Sequence, residues 1–283
     1  NLWIMDKIKE TILSFVFLGL MIGVLVFFYR EFSAFSPNYW WFWSFGGVFF
    51  LQLALMVLWP RFILPLFNTL SPLNDDGLSE KLHNLANKTG FKAKEIQVID
   101  GSKRSGHSNA FFTGFGRFRK IVLYDTLLEQ MNESEIEAVV AHEIGHYRLG
   151  HIPKRLALSL IFGWGFFYLL HILLSSDWLI TQLNLSDELV GAFAPVFLIA
   201  LFFGGCFSYW LNPLSNMLSR KHEFEADKFA GEAIGGASAL KSALRKLCTK
   251  NLSYPLPHPW LSYFHHSHPS LPERELNLSQ VNQ

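Results

Sequence analysis

The sequence predicts a mainly α-helical integral membrane protein whose polar part is an α+β region with a small β-sheet. Three observations carry that prediction. Half of the 283 residues are hydrophobic and 17% are charged, against about 25% charged in an ordinary soluble chain, and the mean hydropathy is positive at +0.22. Four apolar stretches are each long enough to cross a bilayer, which takes about 20 helical residues. The polar segments between and after them show both helix-period and strand-period patterns. The same balance excludes intrinsic disorder. A net charge of +1 gives no electrostatic basis for a nucleic-acid partner. Two cysteines, Cys206 and Cys248, exclude a disulfide scaffold and a cysteine-built zinc site. The chain opens on Asn1, and the expectation is of a piece of a longer protein.

The first span is expected over Thr11 to Tyr29, which holds no charge, and the second over Tyr39 to Pro60. The second opens on Tyr39, Trp40, Trp41, Phe42 and Trp43, an aromatic cluster suited to anchoring at the headgroup level. The third and fourth spans are expected over Leu156 to Leu174 and Leu189 to Leu211. A signal peptide is the alternative for the first run, but no convincing small-residue cleavage site follows it. Lys7 and Lys9 precede the first span and Arg61, Lys154, Arg155, Arg220 and Lys221 flank the polar regions, whereas the loop joining the first two spans holds only Arg30 and the loop Ser175 to Glu188 has no Lys or Arg. The positive-inside rule then predicts that both polar regions lie in the cytoplasm. The expected organisation is two membrane helices over 1–66, a cytoplasmic region over 67–155, a membrane hairpin over 156–211 and a second cytoplasmic part over 212–283.

Within the first polar region, Leu78 to Lys88 reads as a helix with Gly90 ending it. Ile96 to Ile99, Ala110 to Thr113 and Lys120 to Tyr124 read as strands, the last two joined by a turn around Gly114 and Gly116. Asn132 with Glu135, or Ser134 with Glu137, offers a capping box for a helix running through His146.

That helix contains His142-Glu143-Ile144-Gly145-His146. Histidines at i and i+4 share a helix face, so both imidazoles can reach one Zn²⁺. Glu143 sits beside that face, where it can take a proton from an activated water. A catalytic zinc site takes three protein ligands and leaves one position open. The third candidate is Glu223, in Glu223-Phe224-Glu225-Ala226-Asp227, and Asp227, one turn further, would accept a hydrogen bond from the far nitrogen of a ligand histidine. His222 and Glu225 are the rival ligands and are expected to be exposed helix-face residues. Ser262 to Leu276 carries His265, His266 and His268, a tract suited either to solvation or to steadying a developing oxyanion. Asn109, at the mouth of an expected strand, is placed either to form a turn or to hold a substrate backbone.

The tracts HEIGHYRLGH (His142 to His151), SRKHEFEADKFA (Ser219 to Ala230), GSKRSGHSNAFFTGF (Gly101 to Phe115) and HSHPSLPEREL (His266 to Leu276) together resemble the integral-membrane CAAX prenyl endopeptidase family. The resemblance implies a gluzincin-like catalytic domain and a zinc peptidase with an intramembrane chamber. It implies His142, His146 and Glu223 as metal ligands, Glu143 as base, and Asn109 and His268 as residues contacting the scissile region. Arg274, in the Glu273-Arg274 pair, matches a family arginine that is structural or substrate-binding. The expected reaction is cleavage near the C-terminus of CAAX-type substrates, with or without a prenyl group. A membrane quality-control metalloprotease is the alternative within this chemistry, and a non-catalytic zinc-binding membrane scaffold the alternative from another class. The expected partners are a peptide or protein substrate and the lipid bilayer. Family members of this type have seven spans and this chain shows four, which fits an N-terminally shortened fragment. The short region between Lys250 and His265 favours a bacterial relative in the inner membrane over one in the endoplasmic reticulum. Bacteria generally lack protein prenylation, so a CAAX substrate is not implied for such a relative.

Overall fold

The structure, a computed structural model, describes residues 2–114, 119–176, 178–182, 184 and 193–280. In chain order it runs α1 (Leu2–Phe35), α2 (Trp40–Leu58), a π-helical turn (Trp59–Ile63), α3 (Leu64–Phe67), β1 (Leu70–Pro72), α4 (Asp76–Lys88), β2 (Glu95–Ile99), β3 (Ala110–Thr113) and β4 (Lys120–Tyr124). It continues through α5 (Asp125–Gln130), α6 (Glu133–Arg148), α7 (His151–Leu174), α8 (Trp178–Gln182), α9 (Phe193–Ile234), α10 (Ser238–Lys250), α11 (Pro259–His265) and α12 (Leu271–Gln280). Two compact units emerge, residues 1–59 with 154–210 and residues 60–153 with 211–283.

Among the described residues, three helices are long and apolar enough to cross a membrane, or four if a bent pair counts as one span. The chain is a mainly helical integral membrane protein. The first unit packs around Leu25, Trp40, Trp41, Phe45, Phe167 and Leu170. Trp41 meets the rings of Trp164 and Tyr168 at centroid distances of 5.2 and 5.1 Å. Hydrophobic burial gives little drive between helices in lipid, so close packing has to hold them. Gly163 serves that packing, because a Cβ there would fall 2.6 Å from the Phe45 ring. The aromatic cluster at residues 39–43 therefore divides its work. Trp40 and Trp41 are buried between helices, while Tyr39, Phe42 and Trp43 stay exposed.

The second unit is built on a mixed four-stranded sheet of order β1-β2-β4-β3, with β2 parallel to β4 and the other pairs antiparallel. Strands β2, β3 and β4 match the sequence expectation. Strand β1, three residues ending in Pro72, lies on an edge, where proline is tolerated. Helix α4 is capped by Asp75, whose Oδ1 accepts from the Leu78 N–H at 3.0 Å, and Gly90 follows it with φ +70°. Helix α6 starts with the Asn132–Glu135 capping box. Ser134 with Glu137 is not the pair used. Gly114 turns at φ +84°, and Gly116 lies outside the described residues. Leu82, Phe91, Leu123, Leu127, Ile144 and Leu240 are nearly inaccessible and form the core among α4, the sheet, α6 and α10. The carboxylate of Glu135 is buried there and accepts from Ser242 Oγ and Lys246 Nζ of α10, both at 2.6 Å.

Candidate active site

Helix α6 places His142 and His146 one turn apart, and α9 crosses it closely. The crossing is made by small residues: Ala226 and Ala230 are fully buried, and a Cβ on Gly145 would stand 3.2 Å from the Ala226 Cα and 3.1 Å from the Phe229 ring. This brings Glu223 to the histidine pair. The two Nε2 atoms are 3.1 Å apart, and Glu223 Oε2 and Oε1 lie 3.4 Å from Nε2 of His142 and His146 respectively. Ligand atoms about 2.0–2.2 Å from a tetrahedral ion stand roughly 3.4 Å from one another. The spacing therefore suits one shared metal ion. Glu223 Oε2 is also buried with no hydrogen-bond partner among the described residues, an orphaned acceptor that a cation would satisfy. The two-histidine, one-carboxylate set fits zinc.

The supporting residues fall into place around these donors. Asp227 Oδ1 lies 2.9 Å from His142 Nδ1, and Asp227 is wholly buried. Arg274 of α12 grips the same carboxylate from Nε at 2.8 Å and Nη2 at 2.5 Å, and its Nη1 stands 3.7 Å from Glu223. Burial works against charge on His142, but the adjacent carboxylates of Asp227 and Glu223 outweigh that and push its pKa up to about 9. Burial likewise opposes ionisation of Glu223, and its two histidine partners hold it well below the carboxylate range. The pKa of Glu143 is raised from its ordinary value, burial being the chief cause.

His142, Glu143, Glu223 and Arg274 line a cavity of about 740 Å³ that also takes in Asn109 and His268. His268 has an exposed ring, with Nε2 3.4 Å from Glu223 Oε1 and Nδ1 2.9 Å from Ser267 Oγ. Asn109 precedes the edge strand β3, and its Oδ1 accepts from the Ala110 N–H at 2.9 Å. Leu240, Leu244 and Leu247 of α10 supply apolar wall.

Two departures from the sequence reading stand out. His222 is not exposed: it is 3% accessible and stacks on His151, which is 2% accessible. With Glu225 these histidines form a separate cluster beside the His142–His146–Glu223 set. Burial, more than any other influence, lowers the His151 pKa to about 4. Sequence reasoning also missed Asn251, whose side chain bonds Ser108 N at 3.1 Å and Ser108 O at 3.4 Å and so ties the approach to Asn109 onto α10. The separation in sequence left no signal for it; for His151, the recurrence of a histidine after His142 and His146 was available.

The model of peptidase family M48 matches residues 72–282, which include all of these side chains. The chain belongs to peptidase family M48. A second family model, the CAAX prenyl protease N-terminal region with five membrane helices, matches residues 1–69. Among curated proteins, the CAAX prenyl protease 1 homolog of Arabidopsis thaliana is 37% identical over 290 residues, covering 96% of this chain and 63% of that protein. CAAX prenyl protease 1 of Saccharomyces cerevisiae is 36% identical over 297 residues, covering 100% of this chain and 64% of the relative. The crystal structure of S. mikatae Ste24p superposes with a TM-score of 0.88 at 32% identity, covering 98% of this chain and 66% of that one. The M48 chain thus spans less than two thirds of the length of these relatives. Membership in M48 implies a metal cofactor. The relatives named here are eukaryotic, and they lend no support to the expectation of a bacterial member.

Proposed function

We propose that this M48 chain carries the catalytic site of a membrane-embedded zinc endopeptidase that cleaves near the C-terminus of CAAX-type, prenylated substrates. The observation that carries the reading is the buried His142–His146–Glu223 cluster with Glu143 lining the same cavity. A site built only to bind metal has no use for a further buried carboxylate beside the ligands, one whose pKa burial raises. His142, His146 and Glu223 would hold the ion. Bound there, zinc would polarise the scissile carbonyl and lower the pKa of its water toward about 7.

The remaining work falls to the chain's own groups. Glu143 takes the proton of the attacking water and returns it to the leaving amine. His268 donates to the carbonyl oxygen as that atom gains charge. Asn109 and the open edge of β3 hold the substrate backbone, since an edge strand presents unpaired amides and carbonyls to an extended peptide. Arg274 fixes Asp227, and Asp227 fixes the tautomer and plane of His142; lining the cavity, Arg274 is also placed to meet substrate. Lysine and arginine flanking both polar regions support a cytoplasmic catalytic face. The printed names of the relatives support the CAAX substrate class.

The test is a cleavage assay of the full-length protein in detergent, on a prenylated CAAX peptide and on an unfolded membrane protein, with and without chelator. Chelator-sensitive cleavage of the prenylated peptide is expected. Cleavage of the unfolded protein alone would replace the substrate class with membrane quality control, and no cleavage of either by zinc-loaded protein would sink the catalytic reading.

A further inference from the structure

One buried cluster beside the ligand set has no part in this chemistry. His151 opens α7 immediately after Gly150, which turns the chain at φ +68°. Its Nδ1 lies 2.9 Å from Nδ1 of His146, and its Nε2 lies 3.0 Å from Oε2 of Glu225. Its ring is sandwiched flat against His222, with centroids 4.0 Å and planes 11° apart, so its orientation is set by packing.

The proton positions follow from these bonds. His146, on the ligand reading above, turns Nε2 to the ion and keeps its proton on Nδ1, which must donate. His151 Nδ1 is then the acceptor. Its own proton sits on Nε2 and is donated to Glu225. We propose that His151 and Glu225 are positioning residues for His146, forming a chain Glu225–His151–His146 that orients this ligand as Asp227 orients His142 directly. Each ligand histidine then has a carboxylate behind it, one in contact and one through a second imidazole.

The competing use of the cluster is a second metal site, since donor atoms of His151, His222 and Glu225 also lie within 4.8 Å of one another. That use would require the Nε2 lone pair of His151. With Nδ1 already accepting from His146, the ring would have to be an imidazolate. If His151 donated from Nδ1 instead, His146 would have to carry its proton on Nε2 and could not be a ligand.

The inference rests on His146 being a metal ligand, and the experiment separates the two claims. Zinc content and zinc release to a chelator are measured on the full-length protein in detergent. The wild type should hold one zinc and His146→Ala none; a full equivalent in His146→Ala removes the ligand assignment itself. With that established, His151→Ala and Glu225→Ala should each release zinc roughly 10–100-fold faster, the usual effect of losing such an outer partner. His151→Asn places an amide oxygen near Nδ1, where it can accept from His146, and should recover most of the wild-type rate. His151→Gln extends its amide toward Glu225 and should not. A purely structural role for His151 would not distinguish the two amides. Unchanged release in Glu225→Ala, or equal release from the Asn and Gln variants, overturns the chain. Two zinc ions in the wild type, falling to one in His151→Ala, overturns it in favour of a second metal site.

Discussion

Replacing Glu143 with glutamine separates metal binding from proton transfer. The amide is nearly isosteric but cannot take a proton, so Glu143→Gln should keep its zinc and lose hydrolysis by roughly 10² or more. Metal analysis beside a peptide-cleavage assay checks both halves. His268 is the second single-residue test. Its Nε2 points to the ligand cluster, Ser267 Oγ engages its other nitrogen, and the buried Pro269 stiffens the backbone that follows. His268→Ala should lower kcat by roughly 10²–10³, the usual effect of removing one oxyanion donor, with zinc content unchanged. His266→Ala should be much milder; equal losses from the two would mark the tract as structural. At this scale the histidine pair and Glu143 were legible in the sequence, because i,i+4 spacing fixes a shared helix face without reference to anything else. The choice of Glu223 over Glu225 was legible only as a preference. The burial of His222 was not legible at all, since it depends on His151 arriving from another helix.

Elements are joined here by a few specific contacts, and two of them can be broken selectively. Glu135 closes the α6 capping box and holds α10 through Lys246 and Ser242. Burial opposes its ionisation, yet these bonds outweigh burial and keep its pKa below the usual carboxylate range. A folded pKa lower than the unfolded one contributes stability above the unfolded value, about 4.3, and that contribution is lost as pH falls through the folded pKa. Glu135→Ala should therefore cost about 2–3 kcal/mol near neutral pH, from a lost cap and charge-assisted hydrogen bonds. Thermal denaturation in detergent should show the gap between variant and wild type narrowing below about pH 4. Gly145 is the second contact. Its missing Cβ lets α9 approach α6, so Gly145→Val should force the helices apart at about 1–3 kcal/mol and weaken zinc binding. Wild-type zinc affinity in that variant would show that the crossing tolerates a side chain. Helices α1, α2, α4, α6, α7 and α9 and three strands were readable from hydropathy and periodicity, and the shorter helices were not. Strand β1 was not, because Leu70-Ser71-Pro72 has no alternation of its own and becomes a strand by pairing with β2.

For the whole molecule, the testable property is orientation. In a background with Cys206 and Cys248 replaced by serine, an impermeant thiol reagent admitted only to the cytoplasm should label Ser134→Cys and spare Ser176→Cys. The reverse pattern would invert the topology drawn from Lys154, Arg155, Arg220 and Lys221. The membrane character, the helix bearing both His142 and His146 and the family resemblance followed from the sequence by itself. Hydropathy over about 20 residues and helical spacing are local properties, complete in the order of the residues. Which carboxylate meets the histidines, how Arg274 and Asp227 brace one of them and how His151 and Glu225 reach the other were decided only by tertiary structure. Those contacts depend on the distance and angle at which α6 and α9 cross, set by packing Gly145 against Ala226 and Phe229, residues far apart in the chain.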